Sequence, residues 1–388
     1  MEVIKWLLAL IGHVGLCCVA FNKIHAAAFP RGTRKRTEKF IAAAAIIPLL
    51  FVFARATFSV VSGYGVGKIE DTPRPVSLYF YATSLFAIFL LCRWLIRKFT
   101  TKTPKAIKLL SQEAIDVQDF HEDSLLSNAK ANLFGNIPLN QILKLKIEHW
   151  EIEFKNLPQG LDGLKIVQLS DLHLTGMIAK EYFDTIIERA NSFEPDLVLV
   201  TGDLVDERDC LSWLRQIFAK LNSKYGTFYV LGNHDILIGD ENAIRDELKK
   251  AGLVWAGNGQ WHQLEINDEK LLLTGNAMPW FKHCKDLQAA DDPAAFKMLL
   301  SHSPDQLNWA LKYDIDLMFG GHTHGGQVRL PIFGPIIAPS KHGVKYASGN
   351  FRFGKMLMHI SRGLSGDEPV RFFCPPELGF FTLRKGKA

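Results

Sequence analysis

The apolar positions of this chain follow two different patterns. In the first hundred residues they gather in long stretches, "WLLALIGHVGLCCVAF" from Trp6, "FIAAAAIIPLLFVFA" from Phe40 and "VSLYFYATSLFAIFLLC" from Val76. With its flanks, each approaches the roughly 20 residues that a helix needs to cross a bilayer. From about Lys144 the pattern shortens. "IEHWEIEF" alternates as a half-exposed strand does, and five brief apolar runs follow, each ending in polar residues: "LKIVQLSDLHL", "PDLVLVTGDLVD", "GTFYVLGNHD", "FKMLLSHSPD" and "IDLMFGGHTHGG". Helical periodicity fills several of the gaps, as in "AKEYFDTIIERANSF" and "ENAIRDELKKAGL". Strand and helix in alternation predict an α/β domain with buried strands.

The division of the chain follows. Residues 1–100 are expected to form a membrane domain of about three transmembrane helices, although Arg55 interrupts the second run. Buried core helices are the competing reading, but three such runs, aromatic-rich at their ends, suit lipid better. Residues 101–145 are polar and of mixed charge and read as a connector, with a helix expected around "PKAIKLLSQEAI". Residues 146–388 hold the α/β domain.

Charge sharpens this picture. The chain has a net charge of +5, yet residues 1–110 carry 16 Lys/Arg against 4 Asp/Glu, leaving 29 against 36 for the remainder. An acidic remainder beside a membrane anchor excludes a nucleic-acid footprint. The loop between the first two runs, "RGTRKRTEK", is basic, and the third run leads into Arg93, Arg97, Lys98, Lys102, Lys105 and Lys108, whereas "GKIEDTPRP" is balanced. The positive-inside rule then places the first loop and everything after the third helix in the cytoplasm, giving a multi-pass inner-membrane protein with its α/β domain on the cytoplasmic face. A rival topology cleaves the first run as a signal peptide at "HAAAF", which would leave a basic loop outside. Cys17, Cys18 and Cys92 lie in or beside the apolar runs, and Cys210, Cys284 and Cys374 lack metal-type spacing and read as packing residues. Nothing in the sequence sets an oligomeric state.

The candidate chemistry sits where each short run ends. Asp171 and His173 close the first run, Asp203 and Asp206 the second, Asn233, His234 and Asp235 the third, His302 a later one, and His322 and His324 the last. In α/β sheets ligands gather at the carboxyl ends of strands. Singly, Asp171 could cap a helix, Asp203 could shape a turn and His302 could be a satisfied core histidine. Five strand ends that all deliver carboxylate, imidazole or amide oxygen point to a metal site.

The motifs "SDLHL", "TGDLVD", "LGNHD", "SHSPD" and "GGHTHGG", in this order, resemble the signature of the calcineurin-like metallophosphoesterase family over roughly residues 145–385. The segment "RGLSGDEPVRFFCPPELGFFTL" is similar to the membrane-associated bacterial branch of that family. The resemblance implies a four-layer α/β/β/α sandwich with two divalent metal ions at the strand ends. It implies that Asp171, His173, Asp203 and His324 hold one ion and that Asp203, Asn233, His302 and His322 hold the other, with Asp203 bridging. His234 would face the substrate as acid, with Asp235 orienting its ring, and Asp206 has no assigned role. The mixed carboxylate, imidazole and amide donors suit manganese, iron or zinc. Two such cations offset the charge that makes a phosphate ester resist a hydroxide nucleophile.

His322 and His324 are expected to point the same way from extended backbone, with the flanking glycines leaving room for metal and phosphate. Gln327 reads as either a substrate contact or a turn residue. Two departures stand out: Ser303 where relatives more often have asparagine, and "GNAMPWF" from Gly275 in place of an acidic turn. His262, His283, His342 and His359 match no ligand position. The function expected is a membrane-anchored hydrolase of a phosphate ester or diphosphate, its membrane part hinting at a lipid-linked or nucleotide-linked substrate. The specific alternative is a UDP-2,3-diacylglucosamine-type pyrophosphatase of lipid A synthesis. A non-catalytic membrane receptor or scaffold would be marked by missing ligands, and none is missing.

Overall fold

The computed structural model of the protein describes residues 2–27, 31–62, 67–100, 103–281, 286–287, 290, 292 and 295–386. His283 and Cys284 lie outside the described residues. The chain divides into two compact units, Met1–Lys102 with Pro339–Lys345, and Thr103–Ala338 with Tyr346–Ala388.

The first unit is built on three helices, α1 (Glu2–His25), α2 (Arg31–Val61) and α3 (Arg74–Thr100). All three contain a stretch long and apolar enough to cross a membrane, with mean hydropathies of 2.0, 2.1 and 1.8. Large apolar residues such as Leu7, Ile11, Phe53 and Leu85 face outward, while Trp6, Ala9 and Phe80 are buried between helices. Gly12 lets α1 and α3 touch, because a Cβ there would lie 1.7 Å from the Thr83 carbonyl. The charge within the second run is satisfied locally, with the Arg55 guanidinium donating to the Lys68 carbonyl at 3.3 Å and lying 3.9 Å from Asp71.

In the second unit the elements run β1 (Ile107–Asp116), α4 (Ala129–Gly135), β2 (Lys144–Phe154), β3 (Lys165–Leu169), α5 (Lys180–Ser192), β4 (Leu197–Thr201), α6 (Leu211–Phe218), β5 (Thr227–Val230), α7 (Glu241–Lys250) and β6 (Val254–Trp255). They continue as β7 (His262–Ile266), β8 (Glu269–Asn276), β9 (Phe296–Ser301), α8 (Leu307–Lys312), β10 (Leu317–Gly320), β11 (Arg329–Leu330), β12 (Gly334–Pro335), β13 (Gly349–Phe353), β14 (Met356–Ile360) and β15 (Glu377–Lys385). One mixed sheet has the order β1-β2-β15-β3-β4-β5-β6 and a second has the order β13-β14-β10-β9-β8-β7.

The period of two along each strand creates the layers. In β4, Leu197 and Leu199 join the core between the sheets, while Val198 and Val200 join the outer core with α5, α6 and α7. In β10, Leu317 and Phe319 face the same inner core and Met318 faces α8. Buried on both faces, these strands read as continuous apolar runs. The result is the expected α/β/β/α sandwich.

Residues 103–145 differ from the connector expected of them. They belong to the compact α/β unit, and the segment expected to be helical is β1, paired antiparallel with β2 from Ile107↔Ile152 to Asp116↔Lys144. "IKLLSQEAID" has good local helix formers, but a long edge pairing overrides weak local propensity. A bulge between Leu109 and Ser111 bends this exposed edge.

Candidate metal centre

Parallel strands β3, β4 and β5 of one sheet and β9 and β10 of the other end in loops that carry the chemistry. Asp171, His173, Asp203 and His324 offer donor atoms all within 4.8 Å of one another, as do Asp203, His302 and His322. Asn233 joins the second set, its Oδ1 lying 3.1 Å from His302 Nε2. Asp203 is common to both groups, and its Oδ2 lies 3.2 Å from His302 Nε2 and 3.7 Å from His173 Nε2. All seven residues predicted as ligands are thus brought to one place.

The outward-facing ring nitrogens determine what points inward. His173 Nδ1 is 2.8 Å from Asp206 Oδ2, and His302 Nδ1 is 2.8 Å from the Thr201 carbonyl. Both partners only accept, so each Nδ1 carries a proton and a neutral ring presents a lone pair at Nε2. His173 Nε2 and His324 Nε2 face each other at 3.1 Å. Asp203 Oδ2 is buried and accepts no hydrogen bond among the described residues. So many lone pairs converging without donors require positive charge, as protons or as a metal. Burial opposes a charge on His302, yet Asp203 and Asp171 draw its pKa up to about 9. Divalent ions fit the same donor set of imidazole, carboxylate and amide oxygen.

The backbone around these residues is unusual. Asp171, His173, Asp203, His322 and His324 all have positive φ, from 47° to 72°. That region disfavours residues with a Cβ by about 1–3 kcal/mol each and concentrates at functional sites. It also corrects the extended backbone expected for His322 and His324. β10 stops at Gly320, and the two histidines sit in a tight turn at φ 72° and 49°. Gly321 is required by packing: a Cβ would stand 1.9 Å from Ser170 Oγ and 2.4 Å from Asp171 Oδ2. The His322 N–H donates to Asp171 Oδ1 at 2.9 Å, locking the two loops together.

Beside the ligand cluster, His234 is held differently from expectation. Its Nδ1 lies 2.8 Å from Asp206 Oδ1, and its backbone N–H donates to Asp203 Oδ1 at 2.7 Å. Asp235 does not touch the ring. Its buried carboxylate accepts from the N–H groups of Asp203, Leu204, Val205 and Gly232 at 2.7–3.2 Å, fixing the loops after β4 and β5. The orienting role expected of Asp235 therefore passes to Asp206, which gives one oxygen to His173 and the other to His234. Burial pushes the Asp206 carboxyl up, but the two imidazoles hold it well below the usual carboxylate range. Burial likewise lowers His234, but Asp203 and Asp206 outweigh it and raise the ring to about 10. Positive charge beside Asp203 would draw that value down toward neutrality.

Two further residues escaped sequence reasoning. Arg371 is fully buried, and its guanidinium donates to the carbonyls of Arg362, Ser365, Cys374 and His324, with Nη2 3.4 Å from His324 Nδ1. Trp280, in the unexpected "GNAMPWF" segment, lies with its ring centroid 4.6 Å from His322 and 5.4 Å from His302. Gln327 is a turn residue at φ 50° whose amide donates to the Glu368 carbonyl. His262, His342 and His359 belong to none of the metal-capable groups among the described residues.

Comparison with known proteins adds a second line of evidence. The family model described as calcineurin-like phosphoesterase matches residues 164–326. The chain is 33% identical over 235 residues to an uncharacterized metallophosphoesterase, YkuE of Bacillus subtilis, covering 59% of this chain and 82% of the relative. It is 30% identical to phosphodiesterase YaeI of Escherichia coli, covering 56% and 82%. It is 27% identical to UDP-2,3-diacylglucosamine pyrophosphatase LpxG of Chlamydia muridarum, covering 61% and 88%.

Proposed function

The chain belongs to the calcineurin-like phosphoesterase family, and on that premise we propose that it is a membrane-anchored hydrolase that uses two divalent ions to cleave a phosphate ester or diphosphate. The observation that carries this reading is the cluster of inward-facing Nε2 atoms around an Asp203 oxygen that accepts no hydrogen bond among the described residues. One ion would be held by Asp171, His173, Asp203 and His324, and the other by Asp203, Asn233, His302 and His322. When bound, a pair of divalent ions neutralises phosphoryl oxygens and lowers the pKa of water to near neutrality.

The chain's own groups do the rest. His234 keeps its Nδ1 on Asp206, so its proton-bearing Nε2 is free to turn to the leaving oxygen, and its side chain remains about one-fifth exposed. General acid catalysis of this kind contributes a factor of about 10²–10⁴. Asp206 orients both this acid and the ligand His173. Asp235 holds the two loops in register. Trp280 covers one side of His302 and His322 and limits access of water there.

Three apolar helices in the same chain support membrane anchorage and a lipid-bearing substrate. The loop charges favour the cytoplasmic face of the inner membrane. Likeness to the Chlamydia muridarum enzyme supports a UDP-2,3-diacylglucosamine-type diphosphate as the specific alternative. The test is purification with manganese and assay against simple diesters, nucleotide diphosphates and UDP-acyl sugars. Metal-dependent cleavage that chelation abolishes is expected. A folded, metal-loaded preparation that hydrolyses no phosphorus compound would overturn the reading, and cleavage of simple diesters alone would reject the lipid-linked substrate.

A further inference from the structure

The turn bearing His322 and His324 runs directly into the hairpin of β11 and β12, and this hairpin presents apolar side chains outward. Val328, Leu330 and Ile337 are exposed, and Ile332 at its tip is 77% exposed. Phe373 is also exposed, in the neighbouring strand-like segment that the hairpin meets through the Val328↔Phe372 bridge and the Arg329 N–H to Phe372 carbonyl bond at 2.9 Å. Contiguous exposed apolar side chains of this kind mark a contact surface.

Two observations say what covers it. From Arg329 to Arg352 the chain has Arg329, Lys341, Lys345 and Arg352 and no acid, although residues 111–388 together carry 29 Lys/Arg against 36 Asp/Glu. An apolar tip with a cationic flank is the composition of an element seated at the interface of an anionic bilayer, with side chains among the acyl chains and cations against headgroup phosphates. Moreover, the hairpin continues directly into Pro339–Lys345, which belongs to the helical unit, where Arg97 donates to the Val344 carbonyl at 3.4 Å.

We infer that the hairpin of residues 328–338 is a membrane-interface anchor that dips into the lipid headgroup layer. The inference rests on the reading that the three apolar helices cross a bilayer. It assigns the hairpin a role in substrate delivery: the ligand-bearing turn is held at the lipid surface, so that a phosphate group on a lipid can reach it while its acyl chains stay in the membrane.

The test uses the full chain in nanodiscs of phosphatidylethanolamine and phosphatidylglycerol. An environment-sensitive fluorescent amino acid is placed at Ile332 and, as a control, at Glu265 on β7, which is exposed. Blue-shifted emission at position 332 is expected, with quenching by brominated lipid several-fold stronger than at 265 and weaker when phosphatidylglycerol is replaced by phosphatidylcholine. Incorporation into discs with equal quenching at the two positions overturns the inference and leaves the anchorage standing. A blue shift without lipid quenching overturns it in favour of a protein partner. Failure of the chain to enter discs at all removes the anchorage and the inference together.

Discussion

Replacing Asp206 with Asn tests how the proposed metal ligands and the proposed acid, His234, are linked. The carboxylate accepts from His173 Nδ1 and His234 Nδ1, each at 2.8 Å. An amide has one acceptor oxygen, so only one ring can keep its present tautomer. The other ring meets an NH₂ group, must present a lone pair there, and moves its proton to Nε2. On His173 that proton would sit where a ligand lone pair is needed, and on His234 the ring would lose its anionic partner. A hydrogen bond to a charged group contributes about 1.5–3 kcal/mol, or about 10–100-fold in an equilibrium or a rate. Loss of a partner that orients a ligand has a cost of the same size. The assay is a manganese titration of the purified chain together with kcat for bis(p-nitrophenyl) phosphate at metal saturation. D206N is expected to lose about 10–100-fold in metal affinity, in kcat, or in both. Wild-type values for both, in a variant that melts with the wild type, would refute the shared-carboxylate argument.

Three further outcomes are expected. His234→Ala keeps its metal content and loses about 10²–10⁴ in kcat, and metal analysis showing empty sites would move the residue into the ligand set. Arg371→Lys cannot serve all the carbonyls the guanidinium now reaches; each one left unsatisfied costs about 1–3 kcal/mol, read as a lower melting temperature with weaker metal binding through His324, and unchanged melting would show that the buried guanidinium does not hold that loop. Burial raises the Glu377 carboxyl, but Arg362, with Nε 3.3 Å away, holds it at about 2. Because the folded pKa lies below the unfolded one of about 4.3, this stabilisation is complete above that value and fades as pH falls toward 2. Glu377→Gln should therefore flatten the fall of melting temperature between pH 5 and pH 3, by linkage, and a parallel fall in both chains would count against the pair.

What could be read from the sequence follows from what each residue answers to. The buried strands announced themselves because both of their faces meet core, so Leu197 through Val200 form an unbroken apolar run. The cluster of Asp, His and Asn side chains was visible because strand ends converge and its residue types are costly to bury without partners. β1 was hidden because its pairing with β2 is a long-range choice that its helix-compatible residues do not encode. Asp206 and Asp235 stand three and thirty-two residues after Asp203, and only the loop paths decide which of them reaches His234. The positive φ values of His322 and His324 occur in a turn tied to the distant Asp171 loop through the His322 N–H, and Arg371 acts through carbonyl groups, which any residue supplies.

The last strand has an implication for biogenesis. β15 lies between β2, which it joins in parallel, and β3, which it joins antiparallel, and among the described residues it alone bridges those halves of the sheet. During translation, residues 107–154 leave the ribosome long before their neighbour in the sheet exists, with an unpaired apolar edge waiting. Such distant pairing is slow. Nascent chains arrested before residue 377 should therefore remain sensitive to proteases and engage chaperones, and the His/Asp cluster should assemble only once residues 377–385 have left the ribosome.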